Sequence, residues 1–552
     1  MNNISENSVS TFGWDTAYLA SFPIVNKAIM AQKSFPSAFN YKDATDITIS
    51  GHWESWQLIP GGAGGDVQLI CKATSGSASG LGLTGDLSDS EIIIQVNLKQ
   101  VASSDPVNDP TATNQGTTQQ LVVNTQGVGV DPAVSVISTH YPKVNNLLLQ
   151  DVLNSVFKDY FNAHINEFNH VFAVMNINEV ADKEGFQWVK PTSFQYAVAS
   201  PENGDINHSV FGLIAMVENH PINPYMQQAV DVRALINLPQ GANAAFVISE
   251  SLVAQKMLLR GAVATIQGSK VSDFGFSKDG LSVTNITELL WGNFQTKHGV
   301  ISPKIAANNI VIRADDTYIY LEIANAEYET SPGITVHMNL TQKFTYNAVK
   351  AQNGNYVFIP DITGFGEPQI TSNVSLSEGM VITEIIMDVV AVITSILCAV
   401  SGIAEAIDGV AEVATDVVAN TAEVSLSADA IAGVAADSPE MVTIENEAGA
   451  EAADIGAADP ENASQIQKCG VFTSTKFRLA TGLTAAISGS ITGSIGIAKA
   501  VTQQEYNQIP ALNTFAINCI GATKWPSLSN YTLLGANFQT SLVMGISMDV
   551  EN

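Results

Sequence analysis

The order of apolar and polar positions divides this 552-residue chain into stretches of two different periods. Trp14, Tyr18, Phe22, Val25 and Ile29 recur every three or four residues, which predicts a helix over 12–35 with Pro23 marking its start or a kink. Strand-like runs follow at 46–59, 66–73, 91–101, 119–124 and 133–139, separated by polar, Gly- and Ser-rich turns. From 143 to 172, the spacing of Leu149, Val152, Leu153, Val156, Tyr160, Phe168 and Val171 predicts one amphipathic helix of about 30 residues, roughly 45 Å long. Between 173 and 375 the reading returns mostly to strands, as in 209–218, 308–326 and 333–349. In the last of these, Ile334, Val336, Met338 and Leu340 alternate with mostly polar neighbours, the mark of a half-buried strand.

Within 46–59 the period breaks. Ile47, Ile49, Gly51 and Trp53 share one face of a strand, whereas Trp56 and Leu58 fall on the other. A bulge at Glu54–Ser55 would return both tryptophans to the apolar side and twist the strand sharply, as a sheet wrapping a helix requires. The run "PGGAGGD" at 60–66 then leads into another strand, not a helix, so it predicts a wide hairpin loop rather than a phosphate cradle.

Beyond Lys350 the composition changes: up to Lys468 there is no Lys or Arg, against nineteen Asp and Glu. In 381–418 apolar residues fall at alternating spacings of three and four, a helix with a narrow seam. A second helical run at 472–505 is rich in Ala, Ser and Gly, whose small side chains let another backbone approach and predict a hairpin with the first. The stretch 448–464 is low in complexity and reads as a loop, and 511–549 returns to strands. This order predicts an α+β fold of two modules, 1–235 and 236–552, each setting long helices against antiparallel sheet; the second carries the helical hairpin near 380–420 and 472–505.

Composition narrows the functions. With 46% apolar and 14% charged residues the chain can bury large cores. A net charge of −29 with no basic tract repels nucleic acid and anionic membranes in general, so no nucleic-acid partner is expected. The four cysteines are far apart and form no CxxC pair, which argues for reduced thiols and against a zinc or disulfide framework. The polar start has no secretory pattern, so the expectation is a soluble cytoplasmic product, with any release by another route. In 381–418 the longest uncharged stretch, Val389 to Ala404, spans about 24 Å against the roughly 30 Å hydrocarbon core, short for a membrane helix. Neutralising Asp388 and Glu405 at low pH would ease its insertion.

Motifs for chemistry are missing. There is no Walker loop, HExxH or GxSxG. His52-Trp53-Glu54 has the spacing of a deaminase HxE, but no PCxxC follows to complete a zinc site. His164, Glu167 and His170 can share a helix face, yet a carboxylate-bridged metal site needs that motif from two helices. Asp315–Asp316 fits a hairpin turn better than a general acid and base. The expectation is a protein with no catalytic residues, no metal and no cofactor.

Four stretches, in order, resemble one family. "TFGWDTAYLASFPIVNKAI" (11–29) is similar to the GWD…VN opening of the forty-seven-kilodalton and OrfX-type proteins of clostridial neurotoxin gene clusters. "ISGHWESWQLIPGGAGGDVQL" (49–69) resembles that family's G-x-W-x-x-W-x-[IL] strand and glycine turn. "FQWVKPTSFQYAV" (186–198) and "AAFVISESLVAQKMLLRGA" (244–262) resemble its W-x-[KS]-P-[TC] and F-[LV]-I-S segments. The resemblance runs from about residue 11 into the carboxyl-terminal strands, with nothing matched over about 405–468. It implies the tubular lipid-binding (TULIP) fold, in which a twisted antiparallel sheet curls around a long helix and can leave an apolar groove.

The function this implies is a non-enzymatic lipid- or membrane-interacting protein of a bacterial toxin system; the resemblance is to a family in which some members resemble insecticidal or toxin-accessory factors and some bind phosphoinositide-type lipids. Groove residues are expected at Leu149, Leu153, Val156 and Tyr160 on the first long helix and at Ile386, Val389 and Ile393 on the later one; the same side chains would equally fill a closed core. Two other readings stand beside it. One is a protein-binding chaperone of co-encoded toxin components, without lipid; the other is a toxin that inserts its helical hairpin. The oligomeric state is open.

Overall fold

The computed structural model describes residues 8–102, 118–123, 133–170, 174–176, then 189–376 with short breaks, 442–445 and 528–550. The chain forms two compact units, one of Val9–Ser249 with Ala516–Gly535 and Val543–Asn552, the other of Met1–Ser8, Glu250–Phe515 and Ala536–Leu542. The described residues are mostly antiparallel sheet with few helices.

In the unit built on Val9–Ser249, β1 (Thr16–Ser21) leads directly into α1 (Phe22–Gln32). Only the second half of the helix expected over 12–35 is therefore helical. The reason is burial: all six residues of β1 are buried, so both faces are apolar and no alternation shows. Tyr18 pairs with Leu213 on one side and Phe246 on the other, which places β1 in the middle of a sheet. The helix begins where Pro23 can occupy its first turn, and it ends at Lys33 in the left-handed region, φ 50°.

Next come β2 (Ala38–Lys42), β3 (Thr48–Leu58), β4 (Asp66–Gly80), β5 (Leu83–Asp86), β6 (Glu91–Ala102), β7 (Thr118–Val123), β8 (Val134–His140), α2 (Leu147–Ala163) and β9 (Val174–Asn176). β10 (Pro191–Ala199), β11 (Val210–Val217) and β12 (Ala244–Ile248) complete the run. Two sheets result. One has the order β10-β11-β1-β12, continued by Ser541–Val550 and Leu528–Gln539. The other has the order β2-β3-β4-β6-β7-β9, with β5 beside β4 and β8 beside β6. Trp14, Leu19, Ile214, Val247 and Val543 pack together in the core of this unit. Asn26 of α1 fastens the helix to the end of β3: its side-chain amide donates to the Leu58 carbonyl at 3.0 Å and its oxygen accepts from the Leu58 N–H at 2.7 Å.

α2 is shorter than the periodicity predicts, at 17 residues. Asn146 caps its start, accepting from the Leu149 N–H. The α-helix closes at Ala163, and Ile165–His170 continues as a tighter 3-10 helix that still carries Phe168 inward. The apolar stripe thus runs through both elements, which is why it reads as one helix.

The second unit is organised around a ten-stranded sheet whose main path runs through Phe274–Phe276, Ser282–Asn285, Ile310–Asp315, Tyr318–Ser331, Ile334–Lys350, Gln369–Leu376 and Val442–Glu445. Ile312, Leu321, Val336, Met338 and Leu340 form its buried face, as their alternation predicts. A bulge after Ile323 puts Asn325 at φ 48°, where its N–H donates to Asn339 Oδ1 at 2.8 Å. The helices expected at 381–418 and 472–505, with Ile386, Val389 and Ile393, lie outside the described residues. Among the described residues, no helix is long and apolar enough to cross a membrane.

Candidate functional site

The interior between β3 and α2 is built by the break in period at 52–56. In the pairing of β3 with β4, His52 faces Ser75, Trp53 faces Ala73 and Ser55 faces Lys72. Each strand therefore carries one extra residue, Glu54 on β3 and Thr74 on β4, and the two bulges compensate in register. The result is the one the pattern predicts: Trp53 and Trp56 both point inward, 5% and 1% exposed, while His52 and Glu54 face solvent.

Rings close around them. Trp53 lies over Phe161 at 6.0 Å and against Phe39 at 4.6 Å, and Trp56 meets Phe168 at 4.9 Å. The Trp53 indole N–H donates to the Tyr160 hydroxyl at 3.4 Å, and that hydroxyl donates to Glu167 Oε2 at 3.2 Å. Burial is the main reason the Tyr160 hydroxyl is held well above its ordinary pKa. Trp56 Nε1 is buried with no hydrogen-bond partner, its surroundings being the rings of Trp53, Phe161 and Phe168.

All four groove residues expected on the first long helix face this interior. Leu149, Leu153 and Val156 are fully buried and Tyr160 is 1% exposed. Phe157 and Phe161 belong to the same face although the predicted stripe omits them; successive spacings of four, from Leu153 to Phe157 to Phe161, are the signal that finds them. Strands on several sides touch the helix. A Cβ on Gly85 of β5 would meet Leu149 Cδ2 at 2.9 Å, and Thr139 of β8 donates to Asn154 Oδ1 at 2.6 Å. The Asn162 side chain bonds both backbone groups of Val134.

The glycine loop after β3 docks on a strand. Gly64 exchanges backbone hydrogen bonds with Val198 of β10, at 3.0 and 2.8 Å. Beside it the Tyr196 hydroxyl accepts from the Leu98 N–H, and its single proton is shared between the carbonyls of Gly65 and Leu98. His164 and Glu167 are engaged within the fold: His164 Nδ1 lies 2.8 Å from the Tyr160 carbonyl, and Glu167 holds the Tyr160 hydroxyl. Among the described residues, no group of three or more His, Cys, Asp or Glu is placed to hold a metal.

One titratable group in the second unit departs from the expected pattern. Glu250, at the start of the short Glu250–Val253 helix, has its pKa pushed up to about 7, chiefly by burial, then by Asp315 and Asp279, with Arg313 opposing. Sequence reading gives no sign of this, because the three neighbours come from a turn and a strand far along the chain.

A curled antiparallel sheet closed over an apolar helix, opened by a Gly-Trp-Asp segment and a two-tryptophan strand, defines the class. The family described as "Protein OrfX2/OrfX3/P47" matches residues 11–473, and the chain belongs to this OrfX-like family. Protein OrfX3 of Paraclostridium bifermentans is 26% identical over 428 residues, covering 71% of this chain and 83% of the relative. Protein OrfX3 of Clostridium botulinum strain Kyoto, type A2, is 27% identical over 289 residues, covering 48% of this chain and 57% of the relative. Among solved structures, P47 from Clostridium botulinum A2 has the same type of fold at 19% identity and a TM-score of 0.50, covering 70% of this chain and 87% of that one.

Proposed function

We propose that this chain works without catalysis, as a lipid- or membrane-engaging component of a clostridial-type toxin system, on a TULIP-type fold. The observation that carries the reading is the curled sheet around α2, with an interior lined by Leu149, Leu153, Val156, Phe157, Tyr160 and Phe161. Such a lining is chemically inert and matches an acyl chain in polarity. Membership of the OrfX-like family supports the toxin-system setting. For a lipid to enter, α2 and the strands facing it have to part, since this face is closed.

Native mass spectrometry and lipid extraction of the purified full chain test the reading. Stoichiometric lipid, or sedimentation with vesicles, supports it. No co-purifying lipid together with no vesicle binding at neutral or acidic pH overturns it. The net charge of −29 favours a second reading, a surface that docks a basic protein partner without lipid. Pull-down with co-encoded toxin components separates the two.

A further inference from the structure

Three of the most exposed leucines of the Val9–Ser249 unit stand at one end of the eight-stranded sheet. Leu147 and Leu148, the first residues of α2, are 74% and 65% exposed, and Leu81, in the turn between β4 and β5, is 66% exposed. The register brings them together. Gly85 of β5 lies against Leu149 and Val144 at the start of α2. From Gly85 the strand continues past Leu83, which pairs with Gly80, into the Leu81–Gly82 turn. α2 runs the other way along the sheet, with Asn154 beside Thr139 and Asn162 beside Val134, so its first turn and the hairpin tip leave the sheet at the same end. Leu81 and Gly82 take φ 50° and 75°, a tight turn, and no atom lies within 4 Å of a Cβ on Gly82. All three leucines are thus exposed at the same end of the sheet.

The charges around the tip limit what it can meet. Lys42 is paired with Asp46 at 2.8 Å and Lys143 with Asp89 at 2.8 Å, so both flanking cations are engaged. Asp46 sits beside the hairpin, its carbonyl against Gly80. Asp86 is also ionised, its carboxyl held low by hydrogen bonds from Ser88 and by Lys143. An anionic headgroup would find no free lysine in these pairs and would face extra carboxylate charge. A zwitterionic bilayer accepts inserted leucines without needing a cation, and protruding side chains on two rigid elements suit a deformable surface.

We propose that this end, through Leu81, Leu147 and Leu148, is the surface by which the protein enters a neutral, phosphatidylcholine-type bilayer. The proposal rests on the membrane-engaging reading above and adds where contact is made and with which lipid charge. The test is flotation of the full chain with vesicles of phosphatidylcholine alone and with vesicles enriched in phosphatidylserine. L147D/L148D and L81D are compared with Tyr225→Asp. Tyr225 is 89% exposed and lies on the loop whose Gln228 packs on Gly65, at the other end of β4.

The expected result is binding to neutral vesicles that falls about tenfold or more in the leucine variants, as loss of buried leucine area requires, and stays unchanged in Tyr225→Asp. All four side chains are exposed, and unchanged circular dichroism and melting temperature verify the fold of each variant. Equal binding by wild type and leucine variants overturns the assignment and leaves the membrane reading intact. Binding only to phosphatidylserine vesicles overturns the neutral-surface assignment. No vesicle binding by the wild type, with lipid still extracted from the purified chain, overturns this tip while the lipid reading stands; absence of both overturns the two together.

Discussion

Trp53 and Trp56 stand three residues apart on one strand and yet face the same interior, their ring centroids 5.9 Å apart. Only an extra residue between them allows this, and Glu54 is that residue. Truncating Trp56 to Ala is expected to destabilise its unit by about 3–5 kcal/mol, the range for a large buried ring. His52→Ala and Glu54→Ala, at exposed positions, should change stability by no more than about 0.5 kcal/mol. Urea unfolding followed by circular dichroism measures all three. A Trp56→Ala cost no larger than that of Glu54→Ala would show that the tryptophan is not a core residue.

Gly51 precedes the bulge, and its missing side chain makes room for a neighbour. A Cβ there would collide with the Ser75 carbonyl and with the ring of Phe39, which lies across the strand. Gly51→Ala therefore forces the β3–β4 ladder apart, and a loss of about 1–3 kcal/mol is expected, as for other overpacked sites. A melting temperature equal to that of wild type would mean the two strands separate more easily than their pairing implies.

Tyr196 joins the glycine loop to the edge of β6 through one oxygen. Tyr196→Phe removes the acceptor of the Leu98 N–H and the one hydroxyl proton shared between the Leu98 and Gly65 carbonyls, the latter still accepting from the Asn97 side-chain amide, at a cost of about 1–3 kcal/mol. Hydrogen exchange gives the more specific readout. The Leu98 amide should lose protection in the variant, while amides of β1 keep theirs; unaltered exchange at Leu98 would mean that water replaces the hydroxyl.

The sequence made the β3 bulge, the hairpin after it and the apolar face of α2 legible because each depends on residues close in the chain. Alternation exposes a parity change wherever one face of a strand is buried, as at Trp53 and Trp56. It fails at β1, where Tyr18 and Leu19 are buried on opposite faces and the spacing of Trp14, Tyr18 and Phe22 imitates a helix. It also overstates α2, because Phe168 continues the stripe on a 3-10 turn. The four groove candidates of α2 are interior residues, as their periodicity predicts, but periodicity marks burial and does not separate a lipid groove from a packed core. The exposed tip leucines were hidden for a related reason: Leu147 and Leu148 adjoin the core residue Leu149, and only the capped helix start shows which of the three faces inward.

Glu250 supplies a pH dependence of definite sign. Its carboxyl titrates at about 7 in the folded unit and near 4.5 when unfolded. Between those values the folded state binds more protons than the unfolded one, so this group's contribution to stability falls as pH rises from about 5 to 8. It is fully present below the unfolded value and is lost once the folded carboxylate ionises beside Asp315 and Asp279. Glu250→Gln removes the titration while keeping the shape. The variant should match wild type near pH 5 and become the more stable protein by pH 8, with the gap opening across the interval. Partial exposure of Glu250 to solvent screens the effect, so the reading is the slope of the melting-temperature difference against pH rather than its size. A flat difference would place the carboxylate in contact with water or with a cation that neutralises it.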